Sequence, residues 1–134
     1  MDITNMDKIL SAAAEHPGQD KLRIIQELVP GKQITLAHII ANPDPILYQK
    51  LGLDPRMDYS HAAIGVLTVS PSETAVIAAD VALKASGAEL GFVDRFSGTL
   101  LITGSVSDVE AALRAVVEYA ETKLGFNVCP VTRT

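Results

Sequence analysis

Asp58, Tyr59, Ser60 and His61 place an acid, a phenol, a hydroxyl and an imidazole side by side in one polar stretch. Acid–base or nucleophilic catalysis uses such groups, but it needs a second acid or base held at a fixed distance. No such partner stands at a defined spacing, so the stretch fits a solvated loop better. The other imidazoles, His16 and His38, are far away in the chain. His38 sits inside the apolar run QITLAHIIA and fits a hydrogen-bonded core residue better than a metal ligand. Cys129, in an apolar stretch before Pro130, reads as an inert buried thiol. As the single cysteine it excludes a disulfide framework and a Cys-based metal site within one chain, and it fits a reducing cytosol. Gly31-Lys32 lacks the upstream glycine of a phosphate loop, and Gly87 to Gly91 does not match a dinucleotide fingerprint. There is no HExxH and no acid cluster at metal-ligand spacing. These residues imply no cofactor and no metal.

One polar cluster is flanked by strong strand patterns: Asp94, Arg95, Phe96, Ser97 and Gly98. The simpler reading is a hairpin turn in which Gly98 supplies permissive dihedrals and Asp94 pairs with Arg95. The sharper one is that several copies around an axis ring an opening with charge and Phe.

The elements that hold these residues fit one domain. The chain has 134 residues, 48% hydrophobic and 20% charged, enough for a core without staples. Eleven basic against sixteen acidic residues give a net charge of −5, the wrong balance for a general nucleic-acid binder. No apolar run approaches a membrane span, and the start MDITNMDK carries acids where a signal peptide carries bases. Only 4% of residues are aromatic, so large anchors for a ligand pocket are few. The apolar content is aliphatic and Ala-rich, which favours close packing and assembly over catalysis.

Along the chain, Ile3, Met6, Ile9, Leu10 and Ala13 fall at helical spacings before His16-Pro17-Gly18 stops them. This is either a short amphipathic helix on a tether or a tail without a role. A short strand over 23–29 ends at Pro30-Gly31, and a more buried strand follows over 33–41. A short helix over 46–52 closes at Gly52, and a polar loop spans 54–61. A strand over 62–69 leads into a helix started by Ser70, Pro71 and Glu73 and closed near Gly87. Strands at 88–94 and 99–103 flank the turn at 95–98. Ser107 and Glu110 predict a second capping box, with that helix running to Leu124-Gly125. A last strand, 126–132, is assigned to a sheet edge by Pro130. The block 62–132 therefore reads as an α+β, ferredoxin-like βαββαβ sandwich.

On the first long helix, Glu73, Asp80 and Lys84 lie within about 40° of one another, and every other side is apolar. One sheet covers only part of such a helix, so another chain should meet the rest. The second helix is ordinary: Glu110, Arg114, Glu118 and Glu121 face solvent, while Val109, Ala112, Leu113, Val116, Ala120 and Leu124 face the core. The strand at 23–29 has no obvious partner before it. It either extends its own chain's sheet or closes a small barrel with symmetry-related copies.

The runs VPGKQITLAHIIANP (29–43), AIGVLTVSPSETAVIAADVALK (63–84) and GFVDRFSGTLLITGSVSDVEAAL (91–113) occur here in one order. With them the chain resembles circularly permuted hexameric shell proteins of bacterial microcompartments, of the kind found in propanediol and ethanolamine utilisation. The likeness runs from about residue 23 to the ending CPVTRT, and IIANP, KLGL and VTRT lean towards the propanediol type. The resemblance implies a homohexamer that tiles into a protein sheet in the bacterial cytoplasm. Other shell proteins and enclosed enzymes are the implied partners, and nucleic acid and membrane are not. It divides the chain into an extension over 1–22, a barrel-forming strand over 23–31 and a permuted domain over 32–134.

By the same resemblance, Arg23, Ile24, Ile25, Gln26, Glu27 and Leu28 contribute to a six-stranded parallel barrel that caps the central pore. Asp94 to Gly98 fall beside the six-fold axis, and Lys84 falls at the hexamer edge. Asn42 stands where unpermuted members often carry an Arg between two prolines, which predicts altered edge contacts. The extension over 1–22 is longer than expected and is a candidate to dock cargo or to sit at the barrel mouth. The expected function is that of a structural shell tile. The alternative is a ferredoxin-like regulatory module that binds a small metabolite at a subunit interface. An enzyme acting through His61 or Cys129 is remote.

Overall fold

A computed structural model describes residues 31–59 and 62–134. The expected extension over 1–22, the barrel strand Arg23 to Leu28, and the loop residues Ser60 and His61 lie outside those residues. In chain order the elements are β1 (Gln33–Ile40), α1 (Ile46–Lys50), β2 (Ala63–Ser70) and α2 (Thr74–Ala85). Then follow β3 (Glu89–Asp94), β4 (Thr99–Gly104), α3 (Val106–Lys123) and β5 (Thr132–Arg133).

Among the described residues the sheet has five strands in the order β3-β4-β2-β1-β5. β1 runs antiparallel to β2 from Gln33 opposite Ser70 to Ile40 opposite Ile64. β2 pairs antiparallel with β4, and β4 with β3. The ferredoxin-like order is kept, and its fourth strand is the 33–41 segment rather than the 126–132 segment, two strands whose places in the sheet the sequence left open. The place beside β2 belongs to β1, from the front of the chain. The expected strand over 126–132 shortens to Thr132–Arg133, which lies parallel to β1 at the sheet edge. Pro130 has no N–H to give to a ladder, and between Asn127 and Thr132 the chain crosses the edge without strand pairing.

Helix starts also differ from the expected capping boxes. Thr74, Ala75 and Val76 donate their amides to Pro71, Ser72 and Glu73 carbonyls at 3.0, 3.1 and 3.2 Å. Backbone groups thus satisfy the first turn, and α2 begins three residues after Pro71 with no side-chain cap. In α3 the cap is Ser105, whose Oγ accepts from the Asp108 amide at 3.1 Å, while Ser107 only meets Ser105 Oγ. Gly52 and Gly125, both at φ +69°, follow the ends of α1 and α3 as their residue type predicts.

The core has two layers. On one face of the sheet, Ala37, Ile39, Leu67, Leu100 and Ile102 meet Ala75, Ala78, Ala79 and Ala82 of α2 and Val109, Leu113 and Val116 of α3. The alanine side of α2 brings that helix close to the sheet, because no long side chain holds them apart. On the other face Tyr48 of α1 and Leu53 pack on Ile64 and Leu101.

Candidate functional site

The hairpin between β3 and β4 shows how Asp94 to Gly98 are held. Asp94 accepts the Phe96 amide at 2.9 Å and the Ser97 hydroxyl at 2.8 Å. The Phe96 amide and the Ser97 hydroxyl, in that order, hold its carboxyl below the ordinary range. Asp94 therefore organises its own turn and does not pair with Arg95 as expected. The short carboxylate reaches amides two residues on, whereas the Arg95 guanidinium lies 4.9 Å from the centroid of the Phe96 ring. Phe96 is 81% exposed, unusual for an aromatic side chain in a well-formed turn. Gly98 has φ +76° and sits against Val69 and Ser72, so the hairpin tip is fastened to the end of β2.

The outward face of α2 carries the second set. Asp80 and Lys84 form an i,i+4 ion pair at 2.9 Å. Around them Val76 is 51% exposed, and Ile77 and Leu83 are exposed as well. Positions 73, 76, 77, 80, 83 and 84 repeat at helical spacing, so the apolar residues flank the charges on one surface. The predicted excess of apolar surface on this helix is present, and the residues forming it are Val76, Ile77 and Leu83.

Strand registers separate the candidates along the molecule. Thr99, at the hairpin, pairs with Thr68 near the end of β2, whereas Gly104 pairs with Ala63 at its beginning. α2 starts beside the hairpin, and Lys84 lies ten residues after Thr74, about 15 Å along the helix axis. Asn42 follows the end of β1 that opposes the beginning of β2. Lys84 and Asn42 thus share one end of the fold, and Asp94 to Gly98 occupy the other.

Beside Asn42 lies an open groove of about 790 Å³, lined by residues that include Pro43, Pro45, Tyr48, Met57 and Tyr59. The rings of Tyr48 and Tyr59 stack with centroids 4.5 Å apart. The Tyr48 hydroxyl donates to the Ala62 carbonyl at 2.6 Å. Burial first, then the neighbouring Tyr59, raises the Tyr48 phenol, and burial first, then Asp54 and Glu89, raises that of Tyr59. Arg56 binds Asp54 through its guanidinium and its amide and lowers that carboxyl. Within the stretch expected to be a solvated loop, Tyr59 is therefore packed against Tyr48 of α1. Sequence reading missed this because one Tyr in a polar run shows no periodicity; two Tyr facing each other across a helix and a loop were its only trace.

His38 is hydrogen-bonded, as expected. Its Nδ1 lies 2.6 Å from Thr132 Oγ1 and its Nε2 2.9 Å from Thr134 Oγ1. It is only half-buried and sits on the face of β1 away from the long helices. Cys129 is half-buried and packs against the helix-side core.

A family model described as the BMC domain matches residues 63–132. The chain is 50% identical over 112 residues to the bacterial microcompartment shell protein PduU of Salmonella typhimurium strain LT2. That match covers 84% of this chain and 93% of the relative. It is also 50% identical over 115 residues to the shell protein EutS of Escherichia coli K12, covering 86% and 99% of the two chains. Among solved structures it is similar to a flat hexamer of CutR, with a TM-score of 0.72 and 45% identity. That alignment spans 79% of this chain and 94% of the other.

Proposed function

The chain belongs to the BMC-domain family of bacterial microcompartment shell proteins, and on that premise we propose that it is a hexameric tile of a microcompartment shell. Its role is structural: copies associate around an axis, and the hexamers pack edge to edge into a sheet around enclosed enzymes. The observation that carries this reading is the half-identity to shell proteins over nearly their whole length. It favours a shell tile over a small-metabolite regulatory module. The shell within the bacterial cytoplasm is its place of action, and other shell proteins are its neighbours.

In this reading the domain is circularly permuted, which accounts for β1 filling the fourth-strand position from the front of the chain. Six copies of the strand Arg23 to Leu28 form a parallel barrel that caps the axis. Asp94, Arg95, Phe96, Ser97 and Gly98 face that axis, with the stacked Arg95 and Phe96 at its rim. Lys84 and Asn42 face neighbouring hexamers. Their position at the end of the fold away from the hairpin supports this division between axis and rim. Val76, Ile77 and Leu83 lose their exposure against neighbouring subunits, which is where this exposed apolar surface gains about 25 cal/mol per Å². No residue acts catalytically.

Size-exclusion chromatography with light scattering tests the reading. Six times the chain mass is expected, and a stable monomer or dimer refutes the tile. Removal of residues 1–29 should open the axis while the hexamer persists. A fall to monomers would mean that the barrel holds the ring together.

A further inference from the structure

The two edges of the sheet are protected in different ways. β3 carries its own deterrents to pairing: Glu89 and Asp94 at its ends, and a register irregularity between Leu90 and Phe92. β1 has none. From Gln33 to Ala41 it contains no proline, no acid, no lysine and no arginine. What lies over its outer edge is the segment 126–134, and that segment holds Pro130 and Arg133.

The covering segment has a firm root and a light tip. At the root, Phe126 is buried, Asn127 accepts the Ile34 amide at 2.8 Å, and its own amide goes to Lys32 O at 3.0 Å. At the tip, Thr132, Arg133 and Thr134 are exposed, as is Pro130. The Thr134 amide donates to Ile39 O at 2.8 Å, and the Ala41 amide to Thr134 O at 2.9 Å. The side chain of β1 that grips this tip is His38, with one ring nitrogen on each threonine hydroxyl. An imidazole with one N–H donates to one hydroxyl and accepts from the other, so both contacts are satisfied together. Val128, Cys129 and Val131 are half-buried against the helix-side core and belong to the root. Hydrogen bonds and this bidentate contact therefore carry the attachment of residues 132–134, and such short segments open locally at low cost.

We infer that residues 132–134 are a liftable cover for the outer edge of β1, latched by His38, and that the uncovered edge accepts β1 of a second copy of this chain. The partner follows from the chemistry. A lifted tip leaves a row of free N–H and C=O groups flanked by Ala37, Ile39 and Ala41, a template for an apolar, uncharged strand. β1 is such a strand, and two copies meet antiparallel about a two-fold axis with identical contacts on both sides. This inference does not depend on the hexameric reading.

Hydrogen exchange and light scattering on the full chain test it, with His38→Ala and, as a variant at an exposed position, Thr134→Val. The Ala41 and Thr134 amides should exchange at least about tenfold faster in both variants, while those of Leu67 and Ile102 keep their protection. The variants should also show a concentration-dependent doubling of the particle mass found for the parent chain. Unchanged exchange at Ala41 and Thr134 overturns the latch. Faster exchange without added mass overturns the pairing of β1 edges.

Discussion

Val69 donates its backbone amide to the carbonyl of Gly98 at 2.9 Å, and this bond ties the tip of the β3–β4 hairpin to the end of β2. Gly98 in turn donates to Asp94 O at 2.9 Å. The exposed Phe96 is therefore carried on a turn fixed at both ends, with its ring projecting beside the Arg95 guanidinium.

Gly98→Ala should destabilise the protein. The residue has φ +76°, which costs an L side chain about 1 kcal/mol. A Cβ there would also strike the Val69 carbonyl and lie 3.1 Å from Ser72 Cα. A total loss of about 2–4 kcal/mol is expected from denaturant titration. A variant as stable as the parent would mean that the hairpin tip moves freely from β2.

The turn should weaken in acid. Asp94 has a folded-state pKa below its ordinary value of 3.8, so its contribution is present above that value and is lost as pH falls through the lower folded one. Asp94→Ala should therefore lower the melting temperature at pH 7, and the gap to the parent should close at strongly acidic pH. A gap that stays constant down to strong acid would show that the carboxylate does not hold the turn.

Lys84→Ala should leave the fold and the hexamer intact but impair sheet formation. The Asp80–Lys84 pair is exposed on both sides, so losing it should leave the melting temperature nearly unmoved. Electron microscopy reads the outcome: normal sheets from the variant would remove Lys84 from the hexamer edge.

Tyr48→Phe keeps the stack on Tyr59 but removes the donor to Ala62 O. Stability should fall by about 0.5–1.5 kcal/mol, the usual worth of one such bond. An unchanged value would show that solvent satisfies Ala62 equally well.

Leu113 is fully buried between α3 and the sheet, and Leu113→Ala should lower stability by about 2–5 kcal/mol through lost contacts and a cavity. Calorimetry checks it. A smaller loss would mean that the alanine-rich side of α2 moves in to fill the space.

Much of this was legible in the chain. The positions of the four long strands, the core face of α3, the stop residues Gly52 and Gly125, and the apolar surplus on α2 all follow from periodicity and glycine placement. These are local properties, set by neighbours within a few residues. The capping boxes misled for the same reason. A Ser–Pro–Ser–Glu run resembles a helix start, but the carbonyls of Pro71, Ser72 and Glu73 took the amides first.

Tertiary structure alone decided the rest. Strand spacing could not choose between β1 and residues 126–132 for the place beside β2; the matched register from Gln33 to Ile40 and the missing N–H of Pro130 chose β1. It likewise brought His38 to Thr132 and Thr134, and Tyr48 to Tyr59, pairs separated by loops whose path no local pattern encodes. Residue types determined which surfaces are apolar and which turns are possible. Which of them meet was settled by the pairing of strands distant in the chain, because hydrogen-bond register and side-chain packing are satisfied across the whole sheet together.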